Sequence, residues 1–344
     1  MKKPVLSILQ YLIFLCIGLG LLWLVFRKID LGVVGHELRS INYFWIFLTF
    51  IAGFFAHIAR ALRWNLMINS MGYQTNTWRT FYAVMVGYLA NTAIPRLGEV
   101  TRCGILSKTE KIPMNALIGS VISERVFDMI VLLMLTITVI LFQIELVGGF
   151  VGRYLLEPLA GKVPGDYTLY YILVATAAFL LLLALFAWFY LRPRIRHLGL
   201  YQKVKSLVAG FLEGILSIMK LKQKAYFLLL TGVIWTSYFM MTYLCFFAMQ
   251  ATSGLSLMDG LTVLSIGSFG FVAPVPGGIG AFHFIVKAIL FELYGVNPAS
   301  AASFATISHL SQTLLILVMG GLSYLAIVLF LKKKGYDKNS TNPV

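Results

Sequence analysis

The stretch 271-FVAPVPGGIGAF-282 places two prolines and three glycines within the seven residues from Pro274 to Gly280. Proline removes a backbone donor and glycine lowers helix propensity, so a helix is not expected to continue through it. In hydrocarbon, irregular backbone is tolerated only where protein or water covers it. Because the flanking sequence is strongly apolar, the stretch predicts a helix break inside a membrane-embedded bundle. The predicted turn residues are Pro274, Pro276, Gly277, Gly278 and Gly280.

The composition of the chain indicates an all-α polytopic integral membrane protein. Of its 344 residues, 59% are hydrophobic and only 12% are charged, which is about half the charged share of soluble domains. Apolar runs long enough to cross a bilayer recur along the sequence. They predict about six full spans, at roughly 8–26, 43–59, 126–144, 168–191, 225–250 and 299–331.

The distribution of lysine and arginine predicts the orientation of the chain. The formal net charge is +15, and the basic residues lie at the ends of the apolar runs rather than in a soluble patch. This arrangement argues against nucleic acid as a partner and is typical of cytoplasmic anchoring against anionic lipid. We expect a multi-pass protein of the cell inner membrane with both termini in the cytoplasm.

Two shorter apolar segments that end at proline are predicted to be re-entrant hairpins. Residues 78–112, here called the inner hairpin, begin and end among basic residues and therefore on the cytoplasmic side; Pro95 and Gly98 mark its turn. Residues 259–298, called the outer hairpin, begin and end on the opposite side, with the break at Pro274.

The two hairpins divide the chain into halves of the same plan and opposite orientation. Residues 1–147 hold the inner hairpin, residues 148–334 hold the outer hairpin, and residues 335–344 form a short cytoplasmic tail. Such an inverted repeat is the design of many secondary transporters, which place broken helices at the substrate site.

The break of the inner hairpin carries three charged residues at intervals of three: Arg96, Glu99 and Arg102. This spacing predicts one common helical face. In one interpretation the two arginines hold a lipid phosphate while Glu99 orients them or relays a proton. In the other, the three residues form an interfacial ladder that only closes the hairpin.

A second candidate group lies at the start of the span at 126–144. Glu124 and Asp128, four residues apart, share a helical face, and Arg125 lies beside them. If they lie deep in the membrane, we expect a functional role, because intramembrane carboxylates are costly. If they lie at the interface, they serve as anchors or as internal partners of Arg60 and Arg63.

Arg60, Arg63 and Trp64 follow the predicted second span. We expect the two arginines to extend to the lipid headgroups and Trp64 to lie in the interfacial aromatic belt. Direct contact between the arginines and a substrate is the alternative.

The outer hairpin has few charges, and its candidate residues follow the glycine turn. The helix that starts near Ala281 presents free N–H groups, which suit an anion such as phosphate. His283 and Lys287 are four residues apart and both are candidates for facing a cavity. His309 and Gln312, in the last span, are predicted to form interhelical hydrogen bonds.

Four segments together resemble a known family, the flippase-like family named for the transmembrane region of lysylphosphatidylglycerol synthetase. They are ARALRW (59–64), IPRLGEVTR (94–102), SERVFD (123–128) and APVPGGIGAF (273–282). The resemblance runs over about residues 5–332. It implies an inner-membrane protein with inverted repeats and re-entrant helices that moves or handles lipids.

The chain departs from the family pattern in two respects. Members often carry glutamate three residues after the PGGxG glycine run, where this chain has His283. The sequence also continues for only 13 residues after Leu331, so the soluble aminoacyl-transfer domain of the full synthetases, and with it lysyl transfer, is not expected.

These observations favour a lipid flippase or lipid transporter for an anionic, phosphate-bearing headgroup, with membrane lipids as partners. The alternative is a secondary carrier of a small anionic or polar solute. An intramembrane enzyme is disfavoured, because HExxH, GxSxG and paired metal-ligand spacings are missing from the sequence. No cofactor and no metal are predicted, and the oligomeric state stays open.

Overall fold

The computed structural model describes residues 2–144 and 221–333, and every helix in these two ranges supports the predicted all-α class. Predictions that fall elsewhere, among them the span at 168–191 and the tail at 335–344, lie outside the described residues. We number the described α-helices in chain order: α1 (Lys2–Phe26), α2 (Leu31–Ser40), α3 (Tyr43–Ser70), α4 (Thr77–Ala93), α5 (Leu97–Glu110), α6 (Met114–Phe142), α7 (Lys224–Phe246), α8 (Leu257–Val272), α9 (Ala281–Ala288) and α10 (Pro298–Lys333).

The described helices confirm a polytopic membrane protein. Four single α-helices are long and apolar enough to cross a membrane, namely α3, α6, α7 and α10. The segment Pro276–Leu293 also meets this test, and α1 with α2 forms a sixth candidate that is bent by 89°. Large apolar side chains such as Phe142, Leu229 and Leu329 are more than half exposed, as expected of surfaces that face lipid.

Two spans are longer than the sequence predicts. The helix predicted at 43–59 continues to Ser70, and the one predicted from 126 begins at Met114. Residues 60–70 were expected to follow a span, and residues 114–125 were expected to precede one. They stay helical because neither contains a proline, and because their polar side chains contact one another inside the bundle, as described below.

The inner hairpin is a helix–turn–helix formed by α4 and α5. A Cβ added at Gly98 would lie 2.1 Å from the carbonyl oxygen of Gly87, so the two helices cross with backbone in contact. The Gly98 N–H donates to Asn91 Oδ1 at 2.6 Å. Arg96 sits in the connection with a left-handed φ of 65°. The predicted break is therefore present at Pro95, whereas Gly98 is the second residue of α5 and forms the helix crossing rather than the turn.

The outer hairpin breaks between α8 and α9, at the glycines that the sequence singles out. Gly277, Gly278 and Gly280 have φ values of 57°, 74° and 81°, a region that residues with a side chain adopt only at a cost. A single turn of 3₁₀-helix occupies Pro276–Gly278, and a π-helical turn at Ile289–Leu293 follows α9.

The outer hairpin is held between α1, the inner hairpin and α10. Its break lies beside the end of α4, where a Cβ on Gly277 would be 3.7 Å from Thr92 Cα. On the α1 side, a Cβ on Gly280 would lie 1.9 Å from the Gly18 carbonyl oxygen. Lys287 Nζ donates to the carbonyl oxygen of Val25, in the last turn of α1, at 2.7 Å. The breaks of the two hairpins thus meet inside the bundle, while the inverted relation between residues 1–147 and 148–334 stays a prediction.

Candidate functional site

Five charged side chains from three helices form a buried cluster, which we call the ion cluster: Arg60, Arg63, Arg102, Glu124 and Asp128. Arg60 Nη1 lies 2.7 Å from Glu124 Oε1 and 2.9 Å from Asp128 Oδ2. Arg63 Nη2 lies 3.2 Å from Glu124 Oε1 and 2.7 Å from Asp128 Oδ1. The side chain of Glu124 has no solvent exposure and that of Asp128 has 12%. The two carboxylates therefore each contact both arginines of α3.

Helical spacing explains how the ion cluster forms. Arg60 and Arg63 are three residues apart on α3, and Glu124 and Asp128 are four apart on α6, so each pair projects from one face of its helix. Asp128 is the central residue of α6 (Met114–Phe142), a helix about 43 Å long at 1.5 Å per residue. The cluster is therefore buried beside the middle of a candidate membrane span, a position where ionised groups are costly and commonly mark a substrate or ion path.

Helix α7 supplies two neutral hydrogen-bond partners to the α3 arginines, while Arg63 Nε has no partner among the described residues. Arg60 Nε donates to the Tyr238 hydroxyl at 3.2 Å, and Arg63 Nη1 donates to Thr231 Oγ1 at 3.2 Å. These residues were missed in the sequence. They are seven positions apart, and this two-turn spacing would have indicated a common helical face, although Thr236, Ser237 and Thr242 of the same helix are polar as well.

Arg102 reaches the cluster from α5 and is held less completely. Its Nη2 lies 3.0 Å from Glu124 Oε2, yet neither atom, nor Arg102 Nε, has an aligned hydrogen-bond partner among the described residues. Its guanidinium carbon lies 4.7 Å from the centre of the Trp64 ring, a cation–π contact. The Trp64 N–H in turn donates to Ser120 Oγ at 2.9 Å. Arg102 is only 3% exposed, so its charge is buried with unused donors.

The ion cluster carries an excess of one positive charge, counted over the three arginines and two carboxylates that the described ranges bring together. A second pair lies beside it, with Arg125 Nη2 3.1 Å from Glu99 Oε1 and with side chains that are 41% and 30% exposed. This pair is neutral as a unit and leaves the excess unchanged. A buried cation without a matching carboxylate favours an anion as its ligand.

The positions expected for Arg60, Arg63 and Trp64 need correction. Arg60 and Arg63 do not extend toward headgroups, and Trp64 does not lie in an interfacial belt, because all three are buried and contact groups inside the bundle. The internal pairing of these arginines with Glu124 and Asp128, which was one alternative, is what the structure shows.

The predicted common face of Arg96, Glu99 and Arg102 is also wrong. Arg96 is the exposed residue before α5, with left-handed backbone, rather than part of the helix. Glu99 pairs with Arg125, and Arg102 pairs with Glu124. An Arg–Glu–Arg ladder therefore does not form, because Glu99 and Arg102 each have their partner on α6.

The candidates of the outer hairpin form a separate aromatic group about its break. His309 Nε2 lies 2.8 Å from the Gly277 carbonyl oxygen, which confirms the expected interhelical hydrogen bond for His309. The His283 ring lies 4.7 Å from that of His309. Lys287 is engaged with the end of α1. These residues hold the break in place, and among the described residues no hydrogen bond or ion pair joins them to the ion cluster.

Comparison with known proteins identifies the family of the chain. The family described as lysylphosphatidylglycerol synthase TM region matches residues 7–320. The chain belongs to this family. Its ion cluster and both hairpin breaks fall within the matched range.

One curated relative supports the assignment. The UPF0104 membrane protein MJ1595 of Methanocaldococcus jannaschii is 30% identical over 142 residues, a stretch that covers 40% of this chain and 40% of the relative. No solved structure gives a significant match.

Proposed function

We propose that this member of the lysylphosphatidylglycerol synthase TM family is a lipid flippase or lipid transporter that handles an anionic, phosphate-bearing headgroup. The observation that carries the proposal is the excess positive charge of the ion cluster. Arg102 keeps unused donors in a nearly fully buried position, and arginine binds phosphate through paired N–H donors. A phosphate group at this place would neutralise the excess charge and use those donors.

The surroundings of the cluster support lipid as the substrate. The helices that carry the cluster place polar side chains inside the bundle and apolar side chains on its outer surface. Ile122 and Met134 of α6, for example, are exposed. A lipid path needs both features, since the headgroup moves through a polar region while its chains remain in hydrocarbon. We place the protein in the cell inner membrane, with membrane lipids as its partners and both termini in the cytoplasm.

Transport, rather than chemical conversion, is the activity we assign. The proposal involves no enzymatic step and no cofactor, and the sequence has no nucleotide-binding loop. Movement would therefore run downhill or be driven by an ion gradient. A secondary carrier of a small anion is the second candidate, because the same cluster would bind free phosphate.

The test is lipid translocation in reconstituted vesicles, normalised to folded protein. We expect Arg102→Lys and Arg102→Gln to slow the translocation of an anionic phospholipid by about tenfold or more, since a buried charge-assisted contact is worth at least 1.4 kcal/mol. The matched control is Arg79→Lys, at a partly buried Arg–Glu pair of the same hairpin that lies outside the cluster.

Two results would oppose the proposal. Equal translocation rates for wild-type protein and the Arg102 variants would remove Arg102 from the path. Phosphate efflux from the vesicles without lipid translocation would replace the lipid transporter with the small-anion carrier.

A further inference from the structure

Two ion pairs bridge the same two helices, α5 and α6, at different depths. The buried pair joins Arg102 to Glu124, whose side chains are 3% and 0% exposed. The outer pair joins Glu99 to Arg125, which are 30% and 41% exposed. Glu99 and Arg102 are one turn apart on α5, and Glu124 and Arg125 are neighbours on α6. The outer pair is therefore the more exposed of two ion pairs that lie within one helical turn of each other.

The outer pair is incompletely satisfied. Glu99 uses only Oε1, and its buried Oε2 has no hydrogen-bond partner among residues 2–144 and 221–333. Arg125 uses Nη2, and its buried Nε is likewise without a partner there. Asp128, in contrast, uses both oxygens, one on each arginine of α3. A single contact between half-exposed groups contributes little to stability, so the pair is easily exchanged.

We propose that the Glu99–Arg125 pair is the gate of an anion site whose inner end is Arg102. A phosphate group first replaces Glu99 at Arg125, and then takes up the free donors of Arg102 in competition with Glu124. When no phosphate is present, the Glu99 carboxylate occupies the position at Arg125 that a phosphate group would take. This inference rests on the proposed function, since it names the residues through which the headgroup would enter.

If the pair is a gate, Glu99 and Arg125 have opposite effects on phosphate binding. If the pair is purely structural, their effects on phosphate binding are the same. Removing Glu99 removes a competitor, so phosphate should bind more tightly. Removing Arg125 removes the first contact, so phosphate should bind more weakly. Exchanging the two residues would restore a structural pair but would place a carboxylate on α6, beside Glu124, where it repels phosphate.

The experiment measures binding at Arg102 directly and does not require transport. A protein that keeps Trp64 as its single tryptophan, with the other five replaced by phenylalanine, reports on Arg102 because the guanidinium rests on the Trp64 ring. Its fluorescence in detergent is titrated with short-chain phosphatidic acid and, in a second arm, with inorganic phosphate. The first probe represents a lipid headgroup and the second a free anion.

We expect Glu99→Gln to lower the Kd for phosphatidic acid by about two- to fivefold, the value of a half-exposed ion pair. Arg125→Gln should raise it by a similar factor, and the exchange Glu99→Arg with Arg125→Glu should raise it by about tenfold. The exchange Arg79→Glu with Glu110→Arg, at the pair outside the cluster, serves as the control and should leave the Kd unchanged.

Several outcomes would overturn the gate. One is a Kd within twofold of wild type for both Glu99→Gln and Arg125→Gln. Another is restoration of wild-type binding by the Glu99–Arg125 exchange, which would mark the pair as structural. If the exchanged protein does not fold, the two glutamine variants decide alone, because each removes one charge and leaves a polar side chain in its place.

The gate and the proposed function can fail separately. Opposite Kd changes in the two glutamine variants without any lipid translocation would support the gate and refute the transporter. Translocation that depends on Arg102, with a Kd unaffected at Glu99 and Arg125, would support the transporter and refute the gate. A response to inorganic phosphate alone would keep the gate and assign it to a free anion.

Discussion

Glu124 is the residue on which the ion cluster depends. It is completely buried, and Arg60, Arg63 and Arg102 all place a guanidinium nitrogen within 3.2 Å of its carboxylate. Without its charge, three buried arginines would share the single carboxylate of Asp128. Breaking a buried ion pair from one side is far more costly than losing the pair as a whole, because the remaining charge is left uncompensated.

We expect Glu124→Gln to reduce the free energy of unfolding by about 3–5 kcal/mol, as for other one-sided losses of a buried partner. The control is Glu110→Gln, whose partner Arg79 is 29% exposed, and there we expect a loss of about 1 kcal/mol or less. Thermal or denaturant unfolding of the purified protein in detergent provides the measurement. Equal losses in the two variants would contradict the central position of Glu124.

Residues of the cluster could be predicted from the sequence, and the pairing of Arg60 and Arg63 with Glu124 and Asp128 was one of two alternatives for them. Charged side chains at helical spacing beside an apolar run are rare, so Arg60, Arg63, Glu124 and Asp128 were recognisable as candidates. Which of them pair depends on how α3, α5 and α6 pack, and that information is not local. The same lack explains the wrong face assigned to Arg96, Glu99 and Arg102, whose spacing is helical although Arg96 lies before the helix.

At the scale of the element, the inner hairpin is defined by contact between two backbones. Gly98 faces the carbonyl oxygen of Gly87 and the side chain of Asn91, all within 3 Å of where a Cβ would stand. Small residues at such a crossing are the common means by which helices approach closely in membranes. The crossing fixes the start of α5. It thereby fixes the position of Arg102, one turn after Glu99 on the same helix.

We expect Gly98→Ala to destabilise the protein by about 1–3 kcal/mol, the range of overpacked sites. It should also shift Arg102 away from Trp64, which changes the fluorescence of the single-tryptophan protein. Gly104→Ala is the matched control on the same helix, where an added Cβ meets nothing within 4 Å, and we expect a gain of about 0.5–1 kcal/mol. A Gly98→Ala protein as stable as the Gly104→Ala protein would rule out the close crossing.

The breaks of both hairpins could be predicted because proline and glycine act on their own backbone. The lengths of α3 and α6 could not, since Ser70 and Met114 lie in polar segments whose helicity depends on partners across the bundle. The bend of 89° between α1 and α2 was also missed, although Asp30, which caps α2 by accepting from the Gly32 N–H, is a recognisable start signal.

At the scale of the whole molecule, the two hairpin breaks lie against one another, with Gly277 next to Thr92. If the inner hairpin enters the bilayer from the cytoplasm and the outer hairpin from the other side, this contact separates two compartments. A substrate would then meet one hairpin from each side of the membrane.

We expect single cysteines near the two breaks to be labelled from opposite sides, in a background without Cys16, Cys103 and Cys245. Leu97→Cys should react with an impermeant thiol reagent only from the cytoplasmic side, and Val272→Cys only from the outer side; both positions are exposed in the structure. Labelling of both cysteines from the same side would refute the opposite orientation of the hairpins.

The contacts between α1 and the outer hairpin have a consequence for the order in which the protein packs during synthesis. The hydrogen bond from Lys287 to Val25 joins residues 262 positions apart, and Gly280 meets Gly18 over a similar separation. At translation rates of about 5–20 residues per second, roughly 13–50 s pass between synthesis of the two partners. During that time the Gly18 surface of α1 lacks its native partner. Packing of α1 is therefore completed only after the outer hairpin has been made.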